Sequence, residues 1–176
     1  MNWDLVFLFD ALALATVAAV IDVREHRIPN WLTYPGIILG VVLRWLAFGW
    51  NGLGTALAGC LLAGGIVFLF YVVRALGAGD VKLLAAIGSL VGPGHVVVVL
   101  LATAICGGVL GIVYALYRGR LGTTLRNVGS VLKFHSGSGL SVHPELNLDN
   151  PSALRMPYGL AIATGTLYAF LTIWWR

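Results

Sequence analysis

Apolar runs separated by short polar breaks set the pattern of this chain. Trp3–Ile21, Trp31–Phe48, Gly54–Val73, His95–Tyr117 and Pro157–Trp174 each read as an apolar helix near the roughly 20 residues a bilayer core demands. Val81–Val91 reads as a further span but is short for the task. Either it is a half-buried helix, or Gly77–Asp80 dips into the membrane ahead of it. Gly49-Trp50-Asn51-Gly52 and Gly92-Pro93-Gly94 carry the glycine and proline that make tight turns between runs. Pro29 stands where the second run begins, a position at which its missing N–H is not needed. Trp31 and Tyr34 then fall at a membrane interface, where amphipathic rings collect. Arg118–Met156 is the one long hydrophilic stretch. The pattern predicts an all-α polytopic membrane bundle of about six transmembrane helices, one domain over 1–176, with a loop at about 118–156.

Composition strengthens this reading. The chain is 59% hydrophobic and only 10% charged, with a mean hydropathy of +0.92, whereas soluble domains carry about 25% charged residues. The net charge of +4 is scattered between apolar runs without a basic stripe, so it points to topology and not to a nucleic-acid partner. Nine of the eleven basic residues flank the first, third and fifth connections, and only Arg44 and Arg176 lie on the other side. The positive-inside rule makes those connections cytoplasmic, the 118–156 loop among them, and leaves both termini outside. Cys60 and Cys106 stand alone in apolar runs, so the sequence offers no metal site and no cofactor motif. Glycines four apart, Gly36 and Gly40, Gly88 and Gly92, Gly107 and Gly111, read as close helix contacts.

Two carboxylates break the pattern. Asp22 ends the first run and Asp80 follows the pair Gly77 and Gly79, where a charge costs about 2.5–3.5 kcal/mol on an insertion scale. The charge rule puts both on the cytoplasmic face. Carboxylates meeting in a desolvated site share a proton, which equips them for acid-base hydrolysis of an amide by an activated water. Gly77 and Gly79 would let a substrate strand come close. The plainer readings are boundary aspartates paired with Arg24, Arg27, Arg74 or Lys82, and Asp80 as a helix cap. Asp10 is a third ionisable residue within a run, and its role is left open.

Gly77-Ala78-Gly79-Asp80-Val81-Lys82 resembles the GxGD motif of the type IV prepilin peptidases and archaeal preflagellin peptidases. Asp22 upstream of Ile28-Pro29-Asn30-Trp31-Leu32-Thr33 is similar to their other signature, and Met156-Pro157-Tyr158-Gly159 to the start of their last helix. The resemblance implies a membrane aspartic endopeptidase that removes the short basic leader of prepilin or pseudopilin precursors at the cytoplasmic membrane face. It makes Asp22 and Asp80 the catalytic pair. Gly77, Gly79, Lys82, Pro29 and Asn30 become substrate- or loop-shaping residues, and pilus or secretion assembly machinery and membrane lipid become the expected partners. With no CxxC, the chain resembles the short peptidase-only form without methyltransferase activity. Competing readings are a presenilin-like protease that cuts within the membrane and a non-enzymatic small transporter or assembly scaffold.

Overall fold

The computed structural model describes residues 3–139, 141 and 156–175. Among these residues the fold is all-helical, with five helices: α1 (Trp3–Glu25), α2 (Asn30–Val72), α3 (Ala78–Tyr117), α4 (Leu121–Ser138) and α5 (Tyr158–Trp174). α1, α2 and α3 are long and apolar enough to cross a membrane, and α5 is apolar but shorter.

α2 and α3 are each broken once. Gly49 (φ 59°, ψ −141°) and Gly92 (φ 75°, ψ 176°) leave helical geometry, adopting a positive φ that glycine takes without a Cβ penalty. Both breaks fall in the turns read from the sequence. Gly36 packs on Ala86 and Gly64 on Ala85, although a straight α2 would hold those glycines about 42 Å apart. α2 therefore folds back at Gly49 as a hairpin. Gly79 packs on Ile28 and Gly107 on Tyr158, next to a Gly159 that packs on Asp22. A straight α3 would likewise separate Gly79 from Gly107 by about 42 Å, so α3 also reverses, at Gly92. The six apolar runs of the sequence thus appear as α1, two arms of α2, two arms of α3, and α5.

The first arm of α3 is the axis of the bundle. Every residue from Leu83 to Gly92 is buried, which is the mark of a helix surrounded on all sides. Lipid tails are as apolar as leucine, so such a helix is held by closeness of packing and not by expulsion of water. Gly59 and Gly88 allow that closeness, because a Cβ on either would strike the other's carbonyl oxygen. Ser89 Oγ donates within its own helix to the Ala86 carbonyl at 2.7 Å and leans on the Ile37 carbonyl at 3.3 Å. Of the other spaced glycines, Gly36 and Gly40 also meet α3, whereas Gly111 has no neighbour close enough to need it small. On the outside, Leu46, Leu61, Leu101 and Ile105 are exposed, an apolar surface suited to lipid.

The bundle has two polar ends. At one, the Arg44 guanidinium lies 5.1 Å from the Phe7 ring and 5.7 Å from the Phe48 ring. It donates to Thr55 Oγ1 at 3.2 Å and to the Leu90 carbonyl at 2.8 Å, close to the break at Gly92. Arg44 therefore ties both turns together. The other end holds the two signature aspartates.

The stretch expected to be a loop contains α4, an 18-residue helix. Hydrophilic composition concealed it, because a helix with one narrow apolar stripe averages out as polar. The rest of that expected loop, 140 and 142–155, lies outside the described residues.

Candidate active site

Four chain segments converge at the second end. α1 stops at Glu25, where His26 takes a positive φ of 52° and donates its N–H to the Asp22 carbonyl at 2.8 Å. α2 stops in the same manner, with Arg74 at φ 58° and the Ala75 N–H reaching back to the Phe70 carbonyl at 2.9 Å. These are the two non-glycine residues with positive φ among those described, and each holds about 1–2 kcal/mol of strain. His26 lines the cleft that holds Asp22, and Arg74 begins the connection that leads to Asp80. His26-Arg27-Ile28-Pro29 then leads into α2, and Leu76-Gly77 leads into α3.

Asp22 and Asp80 line one cleft of about 240 Å³, together with His26, Arg27, Ile28, Gly77, Ala78 and Gly79. The two connections form its walls. Gly79 presses on Ile28 so closely that a Cβ would lie 3.0 Å from the Ile28 Cβ and 3.3 Å from its carbonyl oxygen, which brings the two signatures into contact. Arg27 pairs with Glu25 at 3.3 Å, but both side chains are more than half exposed, so the pair contributes little beyond shaping the rim.

The carboxylates are held by backbone donors. Asp80 is the third residue of α3, and its Oδ2 accepts the Gly77 N–H at 3.0 Å, the return half of a capping box. The N-cap position weighed for Asp80 from the sequence is taken by Gly77; Asp80 bonds back to it from within the first turn, which fixes the carboxylate at the cleft. Asp22 is 6% exposed, and its Oδ2 accepts the Gly159 N–H at 2.8 Å. Asp22 sits near the unfavourable C-terminal end of its own helix, and the N-terminus of α5 supplies both a free N–H and the favourable end of a dipole. Gly159 must be small here, since a Cβ would lie 3.0 Å from Asp22 Cβ and Oδ2. Among the described residues no other hydrogen-bond donor meets either carboxylate, so each keeps an oxygen for a water or a substrate.

The remaining residues expected at the site stand behind it. Lys82 Nζ donates to Asn30 Oδ1 at 2.9 Å and lies 4.8 Å from the Tyr34 ring centre. Pro29 precedes the first turn of α2, its carbonyl accepting from Leu32 and Thr33. Lys82 and Asn30 thus join the starts of α3 and α2 and do not line the cleft. Asp10 lies more than three turns before Asp22 on α1 and does not line the cleft either.

Sequence reasoning did not place Gly159 at the site. Its signal was Pro157-Tyr158-Gly159, read only as the start of a helix, because nothing local shows that a start on α5 meets an end on α1.

The second arm of α3 overshoots the cleft: Gly107 packs on Tyr158, next to the Gly159 that meets Asp22, and Tyr117 lies about 15 Å further along that helix. α2 ends near the level of the aspartates, since Gly64 already lies against Ala85 and the Leu76 N–H, just before Gly77, bonds back to the Phe70 carbonyl.

The family model described as type IV leader peptidase family matches residues 9–112. That range contains both aspartates, both glycines and the Ile28-Pro29-Asn30 run. No curated protein and no solved structure matches the chain.

Proposed function

The chain belongs to the type IV leader peptidase family, and from that premise we propose that it is an aspartic endopeptidase that removes the leader of prepilin-like or pseudopilin precursors. One observation carries the reading: Asp22 and Asp80, one from each signature, line the same cleft. In this mechanism one carboxylate is ionised and the other protonated. The ionised partner takes a proton from a water whose oxygen attacks the scissile carbonyl carbon. The protonated partner donates to the carbonyl oxygen. When the tetrahedral intermediate collapses, the C–N bond breaks and the leaving amine takes the proton that the base had gained. The Gly159 and Gly77 N–H groups keep the two carboxylates oriented through this exchange.

The proposed setting is a cytoplasmic membrane crossed six times, with the cleft toward the cytoplasm and the termini outside, as the distribution of basic residues favours. The leader junction enters as an extended strand, because a helical peptide bond is shielded by its own hydrogen bonds. The bare backbone of Gly77–Gly79 gives such a strand room.

The test is cleavage of a co-expressed prepilin in membranes by the wild type, Asp22→Asn, Asp80→Asn and Asp10→Asn. Loss of leader removal in both dyad variants at normal abundance, with normal cutting by Asp10→Asn, is the expected result. Cleavage by either dyad variant near the wild-type rate overturns the mechanism. The new N-terminus, read by mass spectrometry, separates leader removal from a cut inside the apolar segment.

A further inference from the structure

Where α3 ends, the chain turns sharply and immediately becomes helical again. Gly119 takes φ 65°, the Arg120 N–H reaches back to the Ala115 carbonyl at 2.9 Å, and the Thr124 N–H already bonds to the Arg120 carbonyl at 2.9 Å. α4 therefore starts at the depth at which α3 stops. That depth is marked by Tyr117, which is exposed, and by Tyr114, whose hydroxyl accepts from Arg118 Nη2 at 3.0 Å. Tyrosine beside arginine is the usual dressing of a membrane–water boundary.

α4 turns one face to the bundle through Leu121, Thr124, Asn127 and Val131, all half-buried. Beside this face, Leu125 (56% exposed) and Val128 (51% exposed) stand uncovered. They fall close together in angle on the helix surface, whereas Ser130 lies on the opposite side. Leu121–Ser138 contains no acidic residue, and Arg118, Arg120 and Arg126 are all exposed. An uncovered apolar edge with basic flanks, starting at the depth of a membrane boundary, matches the amphipathic helices that lie in the plane of a lipid surface.

We propose that α4 is an interfacial helix whose occupant is the anionic phospholipid headgroup layer of the membrane the protein crosses. Leu125 and Val128 enter the acyl boundary, and Arg118, Arg120 and Arg126 meet phosphate. The last turn of α3 is thereby held at the membrane surface.

Spin labels on the full-length protein test this. With Cys60 and Cys106 replaced by alanine, single cysteines at Leu125, Val128 or Ser130 are labelled in nanodiscs of phosphatidylcholine with and without phosphatidylglycerol. The labels at Leu125 and Val128 are expected to collide with oxygen several-fold more, relative to a water-soluble nickel chelate, than the label at Ser130. Phosphatidylglycerol increases the contrast, and Arg118→Gln, Arg120→Gln and Arg126→Gln together abolish that increase. Equal nickel accessibility at all three sites, which places α4 in water, overturns the proposal. So does closure of Leu125 and Val128 to both reagents, which means protein covers them, or a contrast indifferent to phosphatidylglycerol. None of these readouts depends on Asp22 or Asp80.

Discussion

The two ends of the bundle treat charge in opposite ways. At the Arg44 end, a buried guanidinium is engaged on several sides, by Thr55, the Leu90 carbonyl and the faces of Phe7 and Phe48. At the aspartate end, two carboxylates each accept a backbone N–H through Oδ2 and turn toward a cleft. A charge in an apolar setting is expensive in either case. What differs is where the charged group points. Arg44 is turned inward onto groups from both turns and is a structural tie between them, whereas Asp22 and Asp80 line an open cleft. Burial of a charged residue therefore does not by itself mark a candidate site, and a place on the wall of a cleft is what separates the two ends.

Substitutions at the two ends separate these roles. The largest effect is expected at the dyad, where Asp22→Asn or Asp80→Asn lowers leader cleavage by about 10³-fold without lowering the thermal unfolding midpoint in detergent. A drop in that midpoint as large as the one at Arg44 erases the contrast between the ends. Arg44→Met behaves in reverse, losing about 3 kcal/mol of stability through two charged hydrogen bonds and its ring contacts. Its cleavage per folded molecule stays within about twofold of wild type, because a uniform loss of packing leaves the transition state untouched. Denaturant unfolding beside a single-turnover assay measures both quantities.

Smaller effects refine the picture of the aspartate end. Gly159→Ala puts a methyl group 3.0 Å from Asp22 Oδ2, and a displaced catalytic group costs about 10²-fold in kcat/KM. Unchanged kcat/KM in that variant means that the Gly159 contact does not position Asp22. The smallest change is expected from Lys82→Met, which removes a bond to Asn30 behind the cleft. A loss of about fivefold, near 1 kcal/mol, fits a residue that braces the starts of α2 and α3. A loss as large as that of the dyad variants would place Lys82 in the chemistry.

Much of this arrangement was legible in the sequence because its signals are local. Gly49 and Gly92 announce reversals by chemistry that needs no partner, and Asp22 and Asp80 stand out because their surroundings are apolar. The short run after Asp80 corresponds to the buried first arm of α3. What the sequence hid depends on partners far away in the chain. Arg44 was read as an orientation charge, since nothing near it names Thr55 or Leu90. Gly159 looked like the start of a helix, and its place over Asp22 follows only once α5 lies on α1. α4 was hidden by averaging, its stripe of Leu121, Leu125 and Val128 diluted by glycine and threonine.

The contact between α5 and Asp22 also governs the order of events during synthesis. A ribosome makes α1, both arms of α2 and both arms of α3 before it reaches Pro157, so both aspartates are in place early. Until Gly159 emerges, the Asp22 carboxylate lacks the backbone donor that holds it, and Thr103 and Gly107 on the second arm of α3 lack their α5 neighbours. A nascent chain halted before α5 carries the full pair of carboxylates without the group that aims one of them. On the proposed function, completion of translation, and not the presence of the two aspartates, is thus the step that arms the molecule.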